Sequence, residues 1–272
     1  MHDERLPVST MESDWIIVNA EKKVARLTLN NPEKLNTFTV ERLVELERIF
    51  EDLEKNRKVK TVIIDAVGEK AFSAGLDTTM LTSGDGDIKT QVLEAGTKLS
   101  LRMFYFPKPI IASIAAPAVG WGCIISMLAD YRYIIDSAYF KLPELEIGIY
   151  PATGALTLCM MHFGPSIGNE VLFLSKKVSA KDAARIGFVN GTGATREEVD
   201  KRAKKTAKTL SRLNRQVAMF SKINTRLLQN MEFNKALTLE KKCFNDLMDL
   251  AEADDWYEKY LQAFKDMQKE YA

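Results

Sequence analysis

The sequence predicts an α/β fold in which helices cover a largely parallel sheet. β-branched runs of strand length alternate along the chain with amphipathic helix patterns, and a strand–helix–strand order implies a parallel crossover connection. The 272 residues are 46% hydrophobic and 28% charged, close to the average for globular proteins. One large domain with a substantial core therefore fits this length better than two complete domains.

The chain opens with a predicted hairpin that is followed by a helix. Two apolar runs at residues 15–18 and 24–29 flank the polar turn 19–23, which is typical of a β-hairpin. Thr39 has the character of a helix N-cap, and apolar residues follow it at three- and four-residue spacing as far as Leu53.

The alternation continues through the middle of the chain. We predict strands at residues 59–66, 110–114 and 131–135, and helices at residues 94–106 and 123–129. Beyond Lys181 the sequence becomes strongly charged and helical in pattern.

The helical part of the chain contains three predicted helices, at residues 196–212, 216–231 and 238–266. We divide the chain into a tail (1–14), a core (15–190) and a helical region (191–272). The last boundary rests on two closely spaced glycines, Gly191 and Gly193, which suggest a flexible link.

The charge balance excludes a general attraction for nucleic acid. Lys and Arg number 38 and Asp and Glu 37, which gives a net charge of +1. Basic residues cluster at 201–208 and 241–242. Acidic residues interleave with these clusters: Glu197, Glu198, Asp200 and Glu240. We therefore interpret both clusters as solvated helix faces.

Cysteine usage and hydropathy favour a cytoplasmic protein. The three cysteines form no C-x-x-C pair, which fits a reducing compartment and argues against disulfides or a zinc site. The N-terminal residues mix acids and bases and do not resemble a signal peptide. Residues 109–129 carry no charge, but Pro117, Gly120 and Gly122 interrupt them, so we expect no membrane span.

Several common catalytic motifs are absent from the sequence. There is no G-x-x-x-x-G-K-[ST], no G-x-G-x-x-G after the first strand and no H-E-x-x-H. The two histidines are His2 and His162, and no G-x-S-x-G elbow accompanies them, which disfavours a Ser-His-Asp triad. We interpret His162 as a surface or helix-lining residue.

Two glycine-containing loops each follow a predicted strand. Residues 71–77 read A-F-S-A-G-L-D, and residues 116–122 read A-P-A-V-G-W-G. The first N–H groups of a helix are unpaired and carry partial positive charge, so two converging junctions could bind one oxygen anion. Either loop alone would be read as an ordinary strand-to-helix turn.

These segments resemble the enoyl-CoA hydratase/isomerase (crotonase) superfamily. The motif at 71–77 resembles the signature of that superfamily, and N-P-E-K-L-N at 31–36 resembles its early CoA-contacting loop. Residues 108–122 resemble its second oxyanion loop, and L-P-E-L-E-I-G-I at 142–149 resembles its catalytic loop. The likeness covers roughly residues 15–189 in the same order.

The resemblance implies a spiral of β-β-α units with a C-terminal helical region that assembles a homotrimer or a dimer of trimers. It implies oxyanion donors at the backbone N–H groups of Leu76 and Trp121, with Glu144 as acid/base. The substrate is then an acyl-CoA, with no metal or separate cofactor. From its surroundings alone, without the resemblance, Glu144 is better interpreted as a loop carboxylate that pairs with an arginine or faces water.

The resemblance also implies a set of substrate-contacting residues. These are Lys34, Leu35, Ala71, Ser73, Ala74, Gly75, Asp77, Met80, Gly120 and Gly122. Nearby apolar and aromatic residues are candidates for the acyl pocket or for the core: Met80, Leu81, Met103, Phe104, Trp121, Ile149 and Tyr150.

Four further residues receive structural predictions. We expect Asp77 to cap the helix that follows it, with a CoA contact as the alternative. We expect Asp130 and Arg132 to form an ion pair. If residues 142–149 are extended, Glu146 points away from Glu144 and is structural.

Position 124 departs from the hydratases that the sequence resembles. Those enzymes carry a second glutamate there, and the two carboxylates together activate the water that adds to the double bond; this chain has Ile124. A single carboxylate suits a proton shuttle, so the leading prediction is a Δ3,Δ2-enoyl-CoA isomerase. The alternatives are an enoyl-CoA or cyclic dienoyl-CoA hydratase, an acyl-CoA hydrolase and a non-catalytic CoA- or RNA-binding relative.

Overall fold

The computed structural model describes residues 11–80 and 87–250 of the chain. The strands are β1 (Met11–Glu12), β2 (Ile16–Glu21), β3 (Val24–Leu29), β4 (Thr61–Ala66), β5 (Ile110–Ile114), β6 (Ala118–Val119), β7 (Tyr131–Ile135), β8 (Tyr139–Lys141), β9 (Val178–Ser179) and β10 (Gly191–Gly193). The α-helices are α1 (Val40–Lys55), α2 (Ile88–Phe104), α3 (Trp121–Leu128), α4 (Ala155–Phe173), α5 (Ala180–Arg185), α6 (Arg196–Leu210) and α7 (Arg215–Leu250).

Within these described residues, a seven-stranded sheet has the order β1-β2-β3-β4-β5-β7-β10. The first three strands pair antiparallel, and every later neighbour in the sheet pairs parallel. The predicted hairpin and the predicted parallel crossovers are therefore confirmed, and with them the α/β fold class.

The hydrophobic core lies on both faces of this sheet. The larger part packs the sheet against α1 to α4. On the opposite face, Ile63, Ile111 and Tyr133 pack against Val199 and Ala203 of α6. Burial on both faces explains why the central strands are continuous apolar runs rather than alternating ones.

The first helix begins where the sequence predicted. Thr39 is the N-cap of α1, and its side chain accepts a hydrogen bond from the N–H of Arg42 at 3.4 Å. At the other end of α1, the buried Lys108 ammonium donates to the carbonyls of Leu53 and Asn56. Burial lowers the pKa of Lys108 to about 8.

The predicted boundary at residue 191 does not coincide with a break in the structure. Gly191 and Gly193 belong to β10, which extends the sheet by pairing with β7, and α6 then packs back on the same sheet. A Cβ atom on Gly193 would lie 3.2 Å from Val199, so the glycine permits close packing rather than a flexible link.

Other boundaries also differ from prediction. Met11–Glu12, within the predicted tail, pairs with β2, whereas residues 1–10 lie outside the described part. Helix α7 is continuous through the predicted gap at 232–237, because no glycine or proline interrupts those residues. Residues 251–266 of the last predicted helix lie outside the described part.

Helix α7 is attached to the core through a buried ionic cluster. Asp130 accepts from Lys222 at 2.6 Å, from Arg226 at 3.0 Å and from the N–H of Ile110 at 2.7 Å. Burial acts to raise the pKa of Asp130, but the two cations hold it below its usual value. The predicted ion pair between Asp130 and Arg132 is wrong, because Arg132 turns to backbone carbonyls instead.

The uncharged run 109–129 forms β5, β6 and α3 in the interior of the fold. Among the described residues, no helix combines the length and hydropathy needed to cross a membrane.

We expect Asp130→Asn to weaken the docking of α7. The substitution removes the carboxylate charge from the buried cluster with Lys222 and Arg226, and removing one partner of a buried ion pair typically costs about 3–5 kcal/mol in the free energy of unfolding. Denaturant unfolding measures the loss. The control is Glu51→Gln, which breaks the exposed pair between Glu51 and Lys55 and is expected to leave stability unchanged. Equal stability of the two variants would contradict this role for Asp130.

Candidate active site

The two glycine-containing loops lie side by side because their backbones pair. The N–H of Phe72 donates to the carbonyl of Pro117 at 2.9 Å, and the N–H of Val119 donates to the carbonyl of Ser73 at 2.9 Å. Ser73 and Ala118 form a parallel β-bridge. These backbone hydrogen bonds fix the first loop relative to the start of α3.

Gly75 and Gly120 lie in contact at the centre of the site. Both have positive φ, +96° and +51°, a region that favours glycine. A Cβ atom on Gly75 would lie 3.2 Å from the carbonyl oxygen of Val119 and 3.4 Å from the nitrogen of Trp121. The N–H groups of Leu76 and Trp121 therefore belong to adjacent stretches of backbone. Neither donates a hydrogen bond to another residue in the described part of the chain.

Gly122 allows α3 to approach the first loop closely. A Cβ atom at this position would lie 2.6 Å from the carbonyl oxygen of Ser73, which leaves no room for a side chain. The Trp121 side chain is buried against Phe38, with ring centroids 6.2 Å apart. Trp121 thus contributes its backbone to the site and its indole to the core.

Basic side chains cap the last carbonyls of α3. Arg132 donates to the carbonyls of Ser126 and Ala129, and Arg226 donates to that of Leu128. His162 contacts the carbonyl of Met127 at 2.8 Å, which confirms its prediction as a helix-lining residue. Burial, together with nearby Arg132, lowers the pKa of His162 to about 3.

With the C-terminal carbonyls partnered, the unpaired polar groups of α3 are at its N-terminus. That end carries the partial positive charge of the helix and points into the site. The sequence pattern did not identify Arg132, His162 and Arg226 as caps, because they come from three separate elements.

Glu144 reaches the same place from β8. Strand β8 pairs in parallel with β6, and the N–H of Gly120 donates to the carbonyl of Lys141 at 2.9 Å. Glu144 then begins a 3₁₀ turn, Leu145–Ile147. Its Oε1 lies 3.3 Å from the position of a Cβ atom on Gly120. Gly120 directly precedes Trp121, so the carboxylate lies close to the backbone from which the Trp121 N–H projects.

The environment of Glu144 favours its neutral form. Burial raises the pKa of Glu144 to about 7, and its Oε2 is buried with no hydrogen-bond partner among the described residues. An arginine partner, one of the alternatives for this residue, is not found in the described part of the chain. A carboxylate that titrates near neutral pH can both accept and return a proton.

Two buried thiols lie within electrostatic reach of the Glu144 carboxylate, and Ile124 lies on the helix that begins beside it. Ile124 is 2% exposed and lies on the first turn of α3, where its N–H donates to the carbonyl of Gly120. The charge on Glu144 contributes to the raised pKa values of the buried thiols Cys123 and Cys159, though burial is the larger cause. No other carboxylate among the described residues acts on the pKa of Glu144.

The early loop at residues 31–36 is tied to the first glycine loop. The Asn36 side chain donates to the carbonyls of Val67 and Ala71, and the N–H of Ala74 donates to the carbonyl of Leu35 at 3.0 Å. The anchoring role of Asn36 was not predicted; a buried asparagine with φ of +53° was its structural signature.

A cleft of about 280 Å³ opens between these loops. Its lining contains two predicted contact residues, Leu35 and Ala71, and several that the sequence did not indicate. The lining residues are Pro32, Glu33, Leu35, Gly68, Glu69, Lys70 and Ala71. Lys34 is exposed beside it.

Ser73 and Asp77 hold the shape of the first loop. The buried Ser73 hydroxyl accepts from the N–H of Gly75 at 3.2 Å. Asp77 accepts from the N–H of Thr79 at 3.1 Å and from its hydroxyl at 2.6 Å. Asp77 therefore caps the turn at residues 78–80 and not α2, which begins at Ile88; residues 81–86 lie outside the described part.

The predicted acyl-pocket residues divide into two groups. Met103, Phe104 and the Trp121 side chain are buried in the main core and do not line an open site. Met80, Ile149 and Tyr150 are half-buried, and Leu81 lies outside the described residues.

Glu146 points away from the site, although not for the predicted reason. The segment is a 3₁₀ turn rather than an extended strand, and Glu146 pairs with Lys141. Across residues 11–80 and 87–250, no three His, Cys, Asp or Glu side chains converge as metal ligands would.

Comparison with known proteins shows which family has sequences like this one. Residues 19–271 match the family described as enoyl-CoA hydratase/isomerase. A short-chain-enoyl-CoA hydratase from Clostridium acetobutylicum is 27% identical over 255 residues, which cover 94% of this chain and 97% of the relative. A crotonyl-CoA hydratase from Syntrophomonas wolfei is 27% identical over 234 residues, 86% and 90% of the two chains.

Solved structures agree with the sequence relatives. An enoyl-CoA hydratase/isomerase from Mycobacterium paratuberculosis has a TM-score of 0.78 and 26% identity, and the match covers 84% of this chain and 91% of that one. The paired glycine loops and the ordered motifs have the same explanation: this chain belongs to the enoyl-CoA hydratase/isomerase family and has the crotonase fold.

Proposed function

We propose that this protein transfers a proton on an acyl-CoA thioester and thereby moves an enoyl double bond from Δ3 to Δ2. The observation that carries the proposal is the carboxylate of Glu144, which lies beside Gly120 and next to two backbone N–H groups that are unpaired among the described residues, with no other described carboxylate acting on its pKa. The relatives named above act on enoyl-CoA or crotonyl-CoA by their names, which supports the thioester substrate.

In the proposed reaction, the thioester oxygen accepts hydrogen bonds from the N–H groups of Leu76 and Trp121. The Glu144 carboxylate removes a proton from C2, and the electron pair moves into an enolate whose negative charge rests on that oxygen. Glu144 then returns the proton to C4, which leaves the double bond between C2 and C3. No atom is gained or lost overall. Removing one oxyanion donor typically costs about 100- to 1,000-fold in rate.

Ile124 supports isomerisation over hydration. A water that adds to a double bond needs a polar site that holds it and removes its proton, whereas position 124, where the hydratases that the sequence resembles carry a second glutamate, is a buried isoleucine in this chain. Hydration of an enoyl-CoA is the second candidate, and the hydratase names of the relatives favour it.

The remaining parts of the proposal concern binding and assembly. The cleft beside Leu35 and Ala71 is the proposed contact site for the CoA portion of the substrate. The proposed reaction requires no cofactor apart from this CoA, which belongs to the substrate. Assembly as a homotrimer or a dimer of trimers in the cytoplasm stays a prediction.

We expect Glu144→Gln to abolish turnover while CoA-thioester binding persists, because the amide keeps the shape of the side chain and cannot accept the C2 proton. The matched control is Glu146→Gln, two residues away and paired with Lys141 outside the site. Turnover and thioester binding are measured for both variants. Undiminished turnover in Glu144→Gln would disprove the assignment of the base.

We expect a 3-enoyl-CoA to become conjugated with no change in mass. Ultraviolet absorbance reports the conjugation, and mass spectrometry distinguishes isomerisation from the addition of one water. A gain of water by a 2-enoyl-CoA or cyclic dienoyl-CoA, with no isomerisation, would establish the hydratase alternative. Release of free CoA would indicate a hydrolase.

We expect kcat/KM for proton abstraction to fall as the pH drops below about 7. The Glu144 carboxylate must be ionised to accept the proton, and burial raises its pKa to about 7. A profile measured from about pH 5 to about pH 9 should therefore rise through one ionisation near neutrality. A profile that is flat down to pH 5 is inconsistent with Glu144 as the base.

A further inference from the structure

A carboxylate from α7 caps the N-terminus of α4. Gly154 is the N-cap of α4, and no side chain of that segment caps the helix. Glu240 supplies the missing acceptor: its Oε2 accepts from the N–H of Gly154 at 2.6 Å. Its Oε1 accepts from the N–H of Thr157 at 3.0 Å and from its hydroxyl at 2.7 Å.

Glu240 is deeply buried in this position. It is 4% exposed, although its sequence neighbours Lys241 and Lys242 led to its interpretation as part of a solvated face. The helix N-terminus and its three donors hold the carboxylate there. Burying a carboxylate is costly, so a residue in this position fixes α7 and α4 to one another.

The capped end of α4 includes a strained turn. Thr153 and Gly154 have consecutive positive φ values, 61° and 97°. A β-branched residue rarely adopts this conformation, so the surrounding contacts must hold it. Besides Glu240, the buried Ser100 hydroxyl holds the turn by donating to the carbonyl of Thr153 at 2.7 Å.

The turn packs in the same place as the indole of Trp121, whose backbone N–H belongs to the site. Thr153 and Trp121 both press on Gly96 of α2: a Cβ atom there would lie 2.8 Å from Cγ2 of Thr153 and 2.6 Å from Cζ2 of Trp121. The turn also ends the segment that begins with Glu144. Within that segment, the N–H of Ile149 donates to the carbonyl of Glu144 at 2.7 Å, and α4 contacts the turn Leu145–Ile147.

We infer that Glu240 is a positioning residue: by clamping the Thr153–Gly154 turn, the C-terminal helix holds Glu144 in register with the Trp121 N–H. The expected effect of Glu240 on turnover rests on the proposed function. The contacts of Glu240 with the Thr153–Gly154 turn are a property of the fold and do not depend on that function. Docking of α7 and assembly of the site are then one event, although α7 contributes no described residue to the thioester contacts.

The experiment compares Glu240→Gln with two matched variants. The glutamine side chain keeps the size of Glu240, but its amide NH₂ cannot accept from one of the backbone donors. We expect kcat to fall on the order of tenfold to a hundredfold, the cost of misplacing a catalytic group by about 1 Å. KM for the CoA thioester should stay unchanged, because the cleft beside Leu35 and Ala71 is untouched.

Tyr105→Phe is the control for docking of α7. It removes the hydrogen bond between the Tyr105 hydroxyl and Asn234 of α7 at 3.1 Å and leaves the turn intact, so kcat should not change. Ser100→Ala removes the other anchor of Thr153 with a smaller perturbation. Ser100→Ala should also lower kcat. It provides a second test of the clamp if Glu240→Gln does not fold.

Hydrogen exchange separates this inference from the proposed function. Backbone amides of residues 149–157 should exchange faster in Glu240→Gln than in the wild type or in Tyr105→Phe, whether or not an enoyl-CoA is turned over. Faster exchange in a protein that acts on no enoyl-CoA would contradict the proposed function but support the clamp. Unchanged exchange and unchanged kcat in Glu240→Gln, or equal losses of kcat in Glu240→Gln and Tyr105→Phe, would overturn the inference.

Discussion

The site depends on the backbone pairing between residues 72–73 and residues 117–119. Two N–H···O=C bonds of 2.9 Å place Gly75 against Gly120, and they set the distance between the two unpaired donors. Strand β6 then pairs with β8, which delivers Glu144 to the same point. Backbone hydrogen bonds are directional and independent of side-chain identity, so this geometry can persist while the surrounding side chains change.

Sequence patterns predicted the elements whose signal is local. The hairpin, the Thr39 cap and strand β5 follow from residue spacing, and the paired loops follow from motif order. The misses depend on which distant segments meet. Asp130 faces cations from α7, and Glu240 reaches the start of α4. Neither contact can be predicted from the ten or so residues around it.

The buried charges have a common placement. Asp130 and Glu240 both join α7 to the body of the protein, one near the C-terminal end of α3 and the other at the N-terminal end of α4. Each is costly to bury and is satisfied when α7 is docked, so incorrect docking would leave an unpaired buried charge. The ionic contacts therefore specify the position of α7 more than they add to net stability.

The pKa of Glu144 and the proposed choice of reaction both depend on what surrounds that carboxylate. Burial is the largest cause of the rise in its pKa to about 7. A second carboxylate at position 124 would raise it further by repulsion, and it would also hold and polarise water. The aliphatic residue at position 124 provides no second carboxylate to hold water, and burial remains the largest influence on the pKa of Glu144. Returning that proton at C4 is therefore the proposed outcome of the departure at position 124.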